Sequence, residues 1–271
     1  MSPRYVLAGR DDRERREESQ RIALVERYHD PLTAAALAAV GVVPGGRVWE
    51  VGAGGGSIAR RLSDLVGPAG SVLATDLDPG PVAALGLPNV RALRHDLLAD
   101  PPPAENLDLV HARLVLLHLP RRREAVGRMG AALRPGGALV LGDVNFADHA
   151  PRAAPEPSWT RMWDGFWEAA TAAGWDLEVG RRLAEMLEHA GLERVESLRM
   201  GADVAGGSLR CRLQRATLER LRPAILATGR CDAADLEAAC AMLLDPARAF
   251  RAPEIWAAWG RRPRAAGTGP A

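Results

Sequence analysis

Eight consecutive residues concentrate the chemistry open to this chain. Glu50-Val51-Gly52-Ala53-Gly54-Gly55-Gly56-Ser57 sets a carboxylate two positions ahead of three alternate glycines, Gly52, Gly54 and Gly56. Glycine accepts positive φ and lets backbone approach a ligand closely, and a helix starting at Ser57 turns its unpaired N–H groups toward that ligand. A nucleotide-like molecule suits such an edge. Two spacings compete. The dinucleotide fingerprint G-x-G-x-x-G/A is met by Gly52 and Gly54 but finds Ser57 at its third place, whereas E-x-G-x-G-x-G is met by Glu50, Gly52, Gly54 and Gly56. Twenty residues after Gly56, Asp76 closes an apolar run, where a carboxylate can accept both ribose hydroxyls. The next run ends in His95-Asp96-Leu97-Leu98, so Asp96 can accept from an adenine amino group while Leu97 packs on its ring.

The surrounding pattern supplies elements to hold these residues. Short apolar strands are predicted at 47–51, 71–75, 90–94, 107–111 and 138–141, with helices at 57–66, 81–86 and 120–133 and turns at Gly67-Pro68 and Pro135-Gly136-Gly137. Strands interleaved with helices imply a parallel sheet with crossover helices. Ligands then sit in the loops after Val51, Thr75, Arg94, Val110 and Leu141. Before the sheet, residues 1–45 read as helical: a solvated charge run from Asp11 to Glu18, then amphipathic helices at 21–30 and 32–40, with Pro31 starting the second. After it come a linker at 147–158, helix over 158–190, strand character at 192–204, a segment at 208–221 passing from strand to helix, helix at 232–243 and a disordered tail at 260–271.

The glycine loop, Asp76, Asp96-Leu97, His111-Ala112-Arg113-Leu114 and Leu133-Arg134-Pro135-Gly136-Gly137 occur in an order and spacing that resemble class I S-adenosylmethionine-dependent methyltransferases over about residues 20–145. The phrase LDLVHARLVLLHLP…ALRPGGALVLGD is similar to small-molecule methyltransferases of actinobacterial type. The resemblance implies an α/β, Rossmann-like, doubly wound and mostly parallel seven-stranded sheet, with N-terminal lid helices and a helical cap inserted after strand 5. Its expected segments are a lid at 1–45, a cofactor-binding core at 46–146, a cap or substrate region at 147–190 and a C-terminal completion at 191–259. S-adenosylmethionine (SAM) is the implied cofactor and S-adenosylhomocysteine its product. Glu50, Gly52, Ala53, Gly54 and Gly56 would hold the methionine end, Asp76 and Leu77 the ribose, and Asp96 and Leu97 the adenine. His111 and Ala112 would border the sulfonium, and Tyr5 would close over the cofactor. Ala53 departs from the cysteine or serine frequent there, at a contact made mainly by backbone.

Methyl transfer asks the protein to position the acceptor, exclude water and, for an oxygen or nitrogen acceptor, remove a proton. Candidate bases or pocket residues are His118 after the fourth strand, Asp143 and Asn145 at the end of the fifth, His149 beyond it and His29 in the lid; each also has a plain reading as a capping or core residue. Arg113 lies near enough to the expected site to contact substrate. Trp159, Trp163 and Trp167, spaced four apart with Phe166 beside them, would line one helix face, either as core or as a wall against an apolar acceptor. No catalytic metal is expected, because the fourth strand ends in His111-Ala112-Arg113 and the fifth in Asp143-Val144-Asn145 rather than the acidic sets of catechol-type enzymes.

Composition narrows the field further. All 35 basic residues are arginine. Without lysine there is no Schiff-base chemistry and no Walker-type phosphate loop. A net charge of +1 argues against general nucleic-acid binding. Neither an Asn/Asp-Pro-Pro-Tyr/Phe motif nor the Glu-rich loop of protein arginine methyltransferases is recognisable, and Arg121-Arg122-Arg123 reads as a solvated helix start. Cys211, Cys231 and Cys240 lack metal-ligand spacing, and no export signal or membrane span is evident, so a cytoplasmic monomer or homodimer is expected. The reading is methylation of an oxygen, then nitrogen, then carbon, of a small molecule in specialised, antibiotic-type metabolism. The alternative is a SAM-binding cyclase or isomerase that uses the sulfonium without transfer.

Overall fold

In β1 (Arg47–Val51), Val48, Trp49, Glu50 and Val51 are all buried, the mark of a strand covered on both faces. The computed structural model, which describes residues 11–147, 149–151 and 156–264, places β1 inside a seven-stranded, mostly parallel sheet with flanking helices. The other strands are β2 (Ser71–Asp76), β3 (Val90–Arg94), β4 (Leu107–Arg113), β5 (Leu133–Asn145), β7 (Glu193–Met200) and β10 (Glu254–Arg261), in the order β3-β2-β1-β4-β5-β10-β7. A second, three-stranded sheet runs β6 (Ala150–Pro151), β9 (Ala249–Arg251), β8 (Asp203–Ala205) and is antiparallel. The helices are α1 (Asp12–Val40), α2 (Ser57–Val66), α3 (Gly80–Ala83), α4 (Arg122–Ala131), α5 (Pro157–Ala172), α6 (Leu183–His189), α7 (Leu209–Ala227) and α8 (Ala233–Leu244).

The chain falls into two compact units. The sheet unit comprises residues 30–144, 179–199 and 255 onward. Its core packs Ala36, Leu37 and Val40 of α1 and Ile58, Leu62 and Val66 of α2 with Val48, Val72, Leu109 and Val140 of the sheet. The helical unit comprises the described residues up to 29 together with those of 145–178 and 200–254. In it α5, α7 and α8 pack on one another. Pro157 opens α5, Ser208 caps α7 by accepting from the Cys211 N–H, and Asp232 and Asp235 form a reciprocal capping box on α8. Residues 179–199 cluster with the sheet.

Several expected boundaries moved. Residues 12–40 form one helix through Pro31, not two. A proline inside a helix removes one backbone hydrogen bond, and burial of Thr33, Ala36, Leu37 and Val40 beyond it keeps the last turns in place. Pro135-Gly136-Gly137 is not a turn but part of β5, where a register irregularity between Leu107 and Leu109 and a left-handed Gly136 at φ +79° absorb the sequence. Residues 208–221 contain no strand. Gly260 and Arg261, placed in a disordered tail, instead end β10, while residues 265–271 lie outside the described ones. Among the described residues no helix is long and apolar enough to cross a membrane.

Candidate active site

Register builds the site. In the parallel ladders Glu50 stands level with Ala74 of β2 and His111 of β4, and Val51 with Thr75 and Ala112. The glycine loop therefore leaves the sheet between two neighbouring strand ends. The Thr75 carbonyl pins it, accepting from the N–H of Gly52 at 2.8 Å and of Ala53 at 3.0 Å, and the Gly56 N–H closes the turn on the Ala53 carbonyl at 2.9 Å. Trp49 Nε1 donates to Thr75 Oγ1, which donates to the Glu50 carbonyl, so the buried hydroxyl fixes both strands.

The three motif glycines have different reasons to be glycine. All are left-handed, with φ of +69°, +54° and +89° at Gly52, Gly54 and Gly56. A Cβ at Gly52 would collide with the Val115 side chain, and one at Gly56 would lie 2.6 Å from Leu85 Cδ1. At Gly54 it would meet no protein atom within 4 Å. Two glycines thus serve packing, and the third leaves open space at the mouth of the loop. No side chain caps α2, whose N-cap is Gly56, so its first N–H groups keep their donor character.

Asp76, at the end of β2, accepts the Gly54 N–H on Oδ2 (2.9 Å) and the Asp78 N–H on Oδ1 (3.1 Å). A carboxylate offers about four acceptor positions, which leaves capacity for two hydroxyls. Burial pushes its pKa up while those N–H groups pull it down, and the net is upward. Leu77 beside it is 44% exposed, whereas Leu97 is buried, so the open apolar surface next to the carboxylate belongs to Leu77. Asp96 Oδ1 accepts the Leu98 N–H at 3.0 Å, which shapes the loop after β3. These residues bring together an open glycine, a carboxylate with spare acceptors and an exposed apolar neighbour, the groups that could hold a nucleoside cofactor.

Under the loop, Glu50 and His111 are buried together, His111 Nδ1 lying 3.8 Å from Glu50 Oε1. Burial and then the Arg113 charge depress the His111 pKa to about 3, so the ring is neutral at neutral pH. Neither ring nitrogen makes a hydrogen bond among the described residues. Arg113, assigned above to substrate, is held in an ion pair: Nη1 donates to Asp30 Oδ1 at 2.6 Å. Ser57 Oγ donates to the same oxygen at 3.0 Å, so α1, β4 and the first residue of α2 are tied at one point. Asp30 and Ser57 were missed as partners because nothing local links position 30 to position 113.

His118 ends a 3-10 turn, Leu116–His118, and Asp143 supports that turn, its Oδ2 accepting the Leu117 N–H at 3.1 Å and its Oδ1 the Val144 N–H at 2.9 Å. In the helical unit, Asn145 accepts the Ala147 N–H and donates to Glu254 Oε2. His29 is buried with its ring edge-on to Tyr28. His149 lies in an aromatic box, with ring centroids 5.0 Å from Trp163, 5.7 Å from Trp159 and 6.4 Å from Phe146. Its Nδ1 is 2.7 Å from the Arg251 carbonyl, which can only accept, so Nδ1 carries the hydrogen and Nε2 the lone pair. The tryptophan stripe divides: Trp159 and Phe166 are buried, while the half-buried Trp163 and Trp167 line an open groove of 480 Å³ with Asp164, Glu168 and Arg230. Tyr5 lies outside the described residues. Among the described residues no cluster of three or more His, Cys, Asp or Glu is arranged to hold a metal, and Cys211, Cys231 and Cys240 are buried free thiols.

Residues 19–197 match a family model described as a methyltransferase domain. The chain belongs to the class I SAM-dependent methyltransferases. Similar proteins include methyltransferase str2 of Strobilurus tenacellus, 32% identical over 143 residues, or 52% of this chain and 51% of that one. The ubiquinone/menaquinone C-methyltransferase UbiE of Bordetella parapertussis is 28% identical over 188 residues, 60% of this chain and 70% of that one. The chain spans about half the length of the first curated relatives it matches. Among solved structures, the YcgJ protein from Bacillus subtilis superposes with a TM-score of 0.59 at 16% identity, covering 88% of this chain and all of that one. A phosphoethanolamine N-methyltransferase of Haemonchus contortus, solved with phosphomonomethylethanolamine and S-adenosylhomocysteine, gives 0.52 at 15% identity over 90% of this chain and 53% of its own. These likenesses agree on the methyltransferase fold and leave the actinobacterial subtype aside.

Proposed function

We propose that this chain methylates an oxygen atom of a small apolar molecule in specialised metabolism, with SAM as donor. The observation that carries the donor is Gly54: a left-handed glycine open to ligand, bonded through its N–H to a carboxylate with spare acceptors. SAM, when bound, supplies a methyl group on a positively charged sulfur. Glu50 and the loop would take its methionine end, Asp76 and Leu77 its ribose, Asp96 and Leu97 its adenine, and His111 and Ala112 would border the sulfur. A neutral His111 adds no positive charge beside a sulfonium.

Oxygen as the acceptor atom is favoured by His149. Its fixed tautomer leaves Nε2 as a buried lone pair without a hydrogen-bond partner among the described residues, suited to orient a hydroxyl. Trp163, with Trp159 and Phe166 behind it, would supply the apolar wall. His118, Asp143, Asn145 and His29 then serve by holding backbone and packing. The relatives named as ubiquinone/menaquinone C-methyltransferases are compatible with a small-molecule acceptor. Calorimetry with SAM and with NAD, followed by S-adenosylhomocysteine release from a panel of hydroxyl, amine and activated-carbon acceptors, tests the reading. SAM binding with one S-adenosylhomocysteine per methylated hydroxyl supports it. NAD binding without SAM binding overturns it, and turnover of an acceptor without S-adenosylhomocysteine points to a cyclase or isomerase.

A further inference from the structure

Arg210 is a buried guanidinium that no carboxylate of the described residues pairs with. It is 5% exposed, in the first turn of α7. Its one hydrogen bond among the described residues runs from Nη2 to Gln214 Oε1, 2.8 Å. Its charge otherwise rests on two rings, 5.6 Å from the centroids of Tyr28 and of Phe146. Arg210 Nε and Gln214 Nε2 are buried and make no hydrogen bond among the described residues. Burying an unpaired charge and two unsatisfied donors is strongly unfavourable unless something compensates.

The neighbours indicate what that compensation is. Phe146, under the guanidinium, also borders His149, and His149 Nε2 is the third buried polar atom of the group with no partner among the described residues. The set therefore offers several N–H donors and one lone pair, framed by Tyr28, Phe146 and Trp163. The other titratable groups around it are the Tyr28 hydroxyl and the Cys211 thiol, both pushed by burial toward their neutral forms. No carboxylate of the described residues answers the charge. We propose that Arg210, Gln214 and His149 form a binding site for an ionisable oxygen of an aromatic or enolic acceptor, with Arg210 holding its anionic form. The acceptor hydroxyl donates to His149 Nε2, and the oxygen accepts from Arg210 Nε and Gln214 Nε2. On ionisation the proton passes from the oxygen to His149 Nε2, the electron pair stays on the oxygen, and Arg210 balances the negative charge left there. The Arg210 charge is also one reason His149 stays neutral, so an anion at Arg210 makes that imidazole a better proton acceptor. This deepens the oxygen-acceptor reading and rests on it.

The test uses the full chain saturated with S-adenosylhomocysteine and three probes on one nitrophenyl scaffold: 4-nitrophenol, 4-nitrobenzoate and nitrobenzene. Binding is read by tryptophan quenching and the ionisation of nitrophenol by its visible absorbance. The wild type is expected to bind nitrophenolate at least about tenfold more tightly than nitrobenzene and to lower the apparent pKa of the bound phenol. Arg210→Met is expected to abolish both differences while nitrobenzene binding persists. Gln214→Leu should weaken the anion in part, and it provides the readout if the Arg210 variant does not fold. Tighter binding of nitrobenzoate than of nitrophenolate, also lost in Arg210→Met, overturns the phenolic or enolic assignment, because the site then belongs to a carboxylate. Equal affinity for nitrobenzene and nitrophenolate, or an unchanged Arg210→Met, overturns the anion site while leaving an apolar acceptor pocket. Failure of every probe to bind a protein that binds SAM removes the acceptor reading of the helical unit, and the anion site with it.

Discussion

Gly54→Ala separates ligand recognition from folding at a single methyl group. Gly54 sits at φ +54°, where an L-residue costs about 1–2 kcal/mol relative to glycine. The added Cβ meets no protein atom within 4 Å, and the N–H to Asp76 is untouched, so that strain is the whole folding cost. Gly45 is a matched control: φ +77°, also open within 4 Å, in the turn leading into β1 at the opposite end of the strand. Both alanine variants should lose roughly 2–8 °C of melting temperature at 2–4 °C per kcal/mol for a chain of this class. Only Gly54→Ala puts its methyl where the cofactor would lie. Intruding one methyl group into a filled space costs about 1–3 kcal/mol, or roughly 5- to 150-fold in Kd. Differential scanning calorimetry and SAM titration on the two variants make the measurement. If Gly54→Ala binds SAM as the wild type does, the open face of that glycine is solvent and the cradle lies elsewhere. If Gly45→Ala loses as much affinity, the loss is general loosening.

Asp76→Ala should lower SAM affinity by about 1–3 kcal/mol, the scale for leaving hydrogen-bonding partners unpaired; unchanged affinity in calorimetry would show that Asp76 does not carry the ribose. Trp159→Ala removes a side chain that is 2% exposed and should cost about 3–5 kcal/mol of stability in urea unfolding, whereas the half-buried Trp163→Ala should cost less and weaken acceptor binding with SAM affinity intact. Equal destabilisation by the two would make the stripe core throughout. Acid should destabilise the fold through its buried histidines. His111 and His149 titrate near pH 3 when folded and near 6.5 when unfolded, so below 6.5 the unfolded chain binds more protons and stability falls with pH. At about 1.4 kcal/mol per pH unit each, the loss between pH 6.5 and 5 is on the order of 2 kcal/mol per histidine. Urea unfolding of His111→Gln and His149→Gln at pH 7 and pH 5 should show a smaller acid loss than the wild type, and an identical loss would rule out these two residues as its source.

What the sequence made legible was local. Glu50, the alternate glycines, Asp76 and Asp96 fall at strand ends because apolar runs of four to six residues stop there, and that stop is visible in the chain itself. Pro31 and Pro135-Gly136-Gly137 misled for the converse reason. Each is a strong local signal for a boundary, and each was overruled by burial of residues further along the same element, Leu37 and Val40 in one case and Leu139 and Leu141 in the other. The tryptophan spacing correctly put Trp159, Trp163 and Trp167 on one helix, but a four-residue spacing says nothing of how deeply a ring is covered, so the division between Trp159 and Trp163 was invisible. Arg113 was suspected from its position alone. Its Asp30 partner, 83 residues away, could come only from the fold.

Arginine itself shows where composition and chemistry part. A chain whose 35 basic residues are all arginine invites a genomic explanation, and in an exposed pair such as Arg13–Glu17 lysine would serve as well. Arg210 is different. A buried ammonium sheds its proton readily, because desolvation penalises a compact charge and the amine starts from a lower pKa. The guanidinium starts far higher, and although burial lowers it, the planar group can spread its charge over Tyr28 and Phe146. A permanent cation in a dry aromatic surround is therefore available at this position only from arginine. The same reasoning predicts that Arg210→Lys, unlike a lysine at Arg13, fails to hold nitrophenolate, since the neutral amine it leaves has no charge to offer.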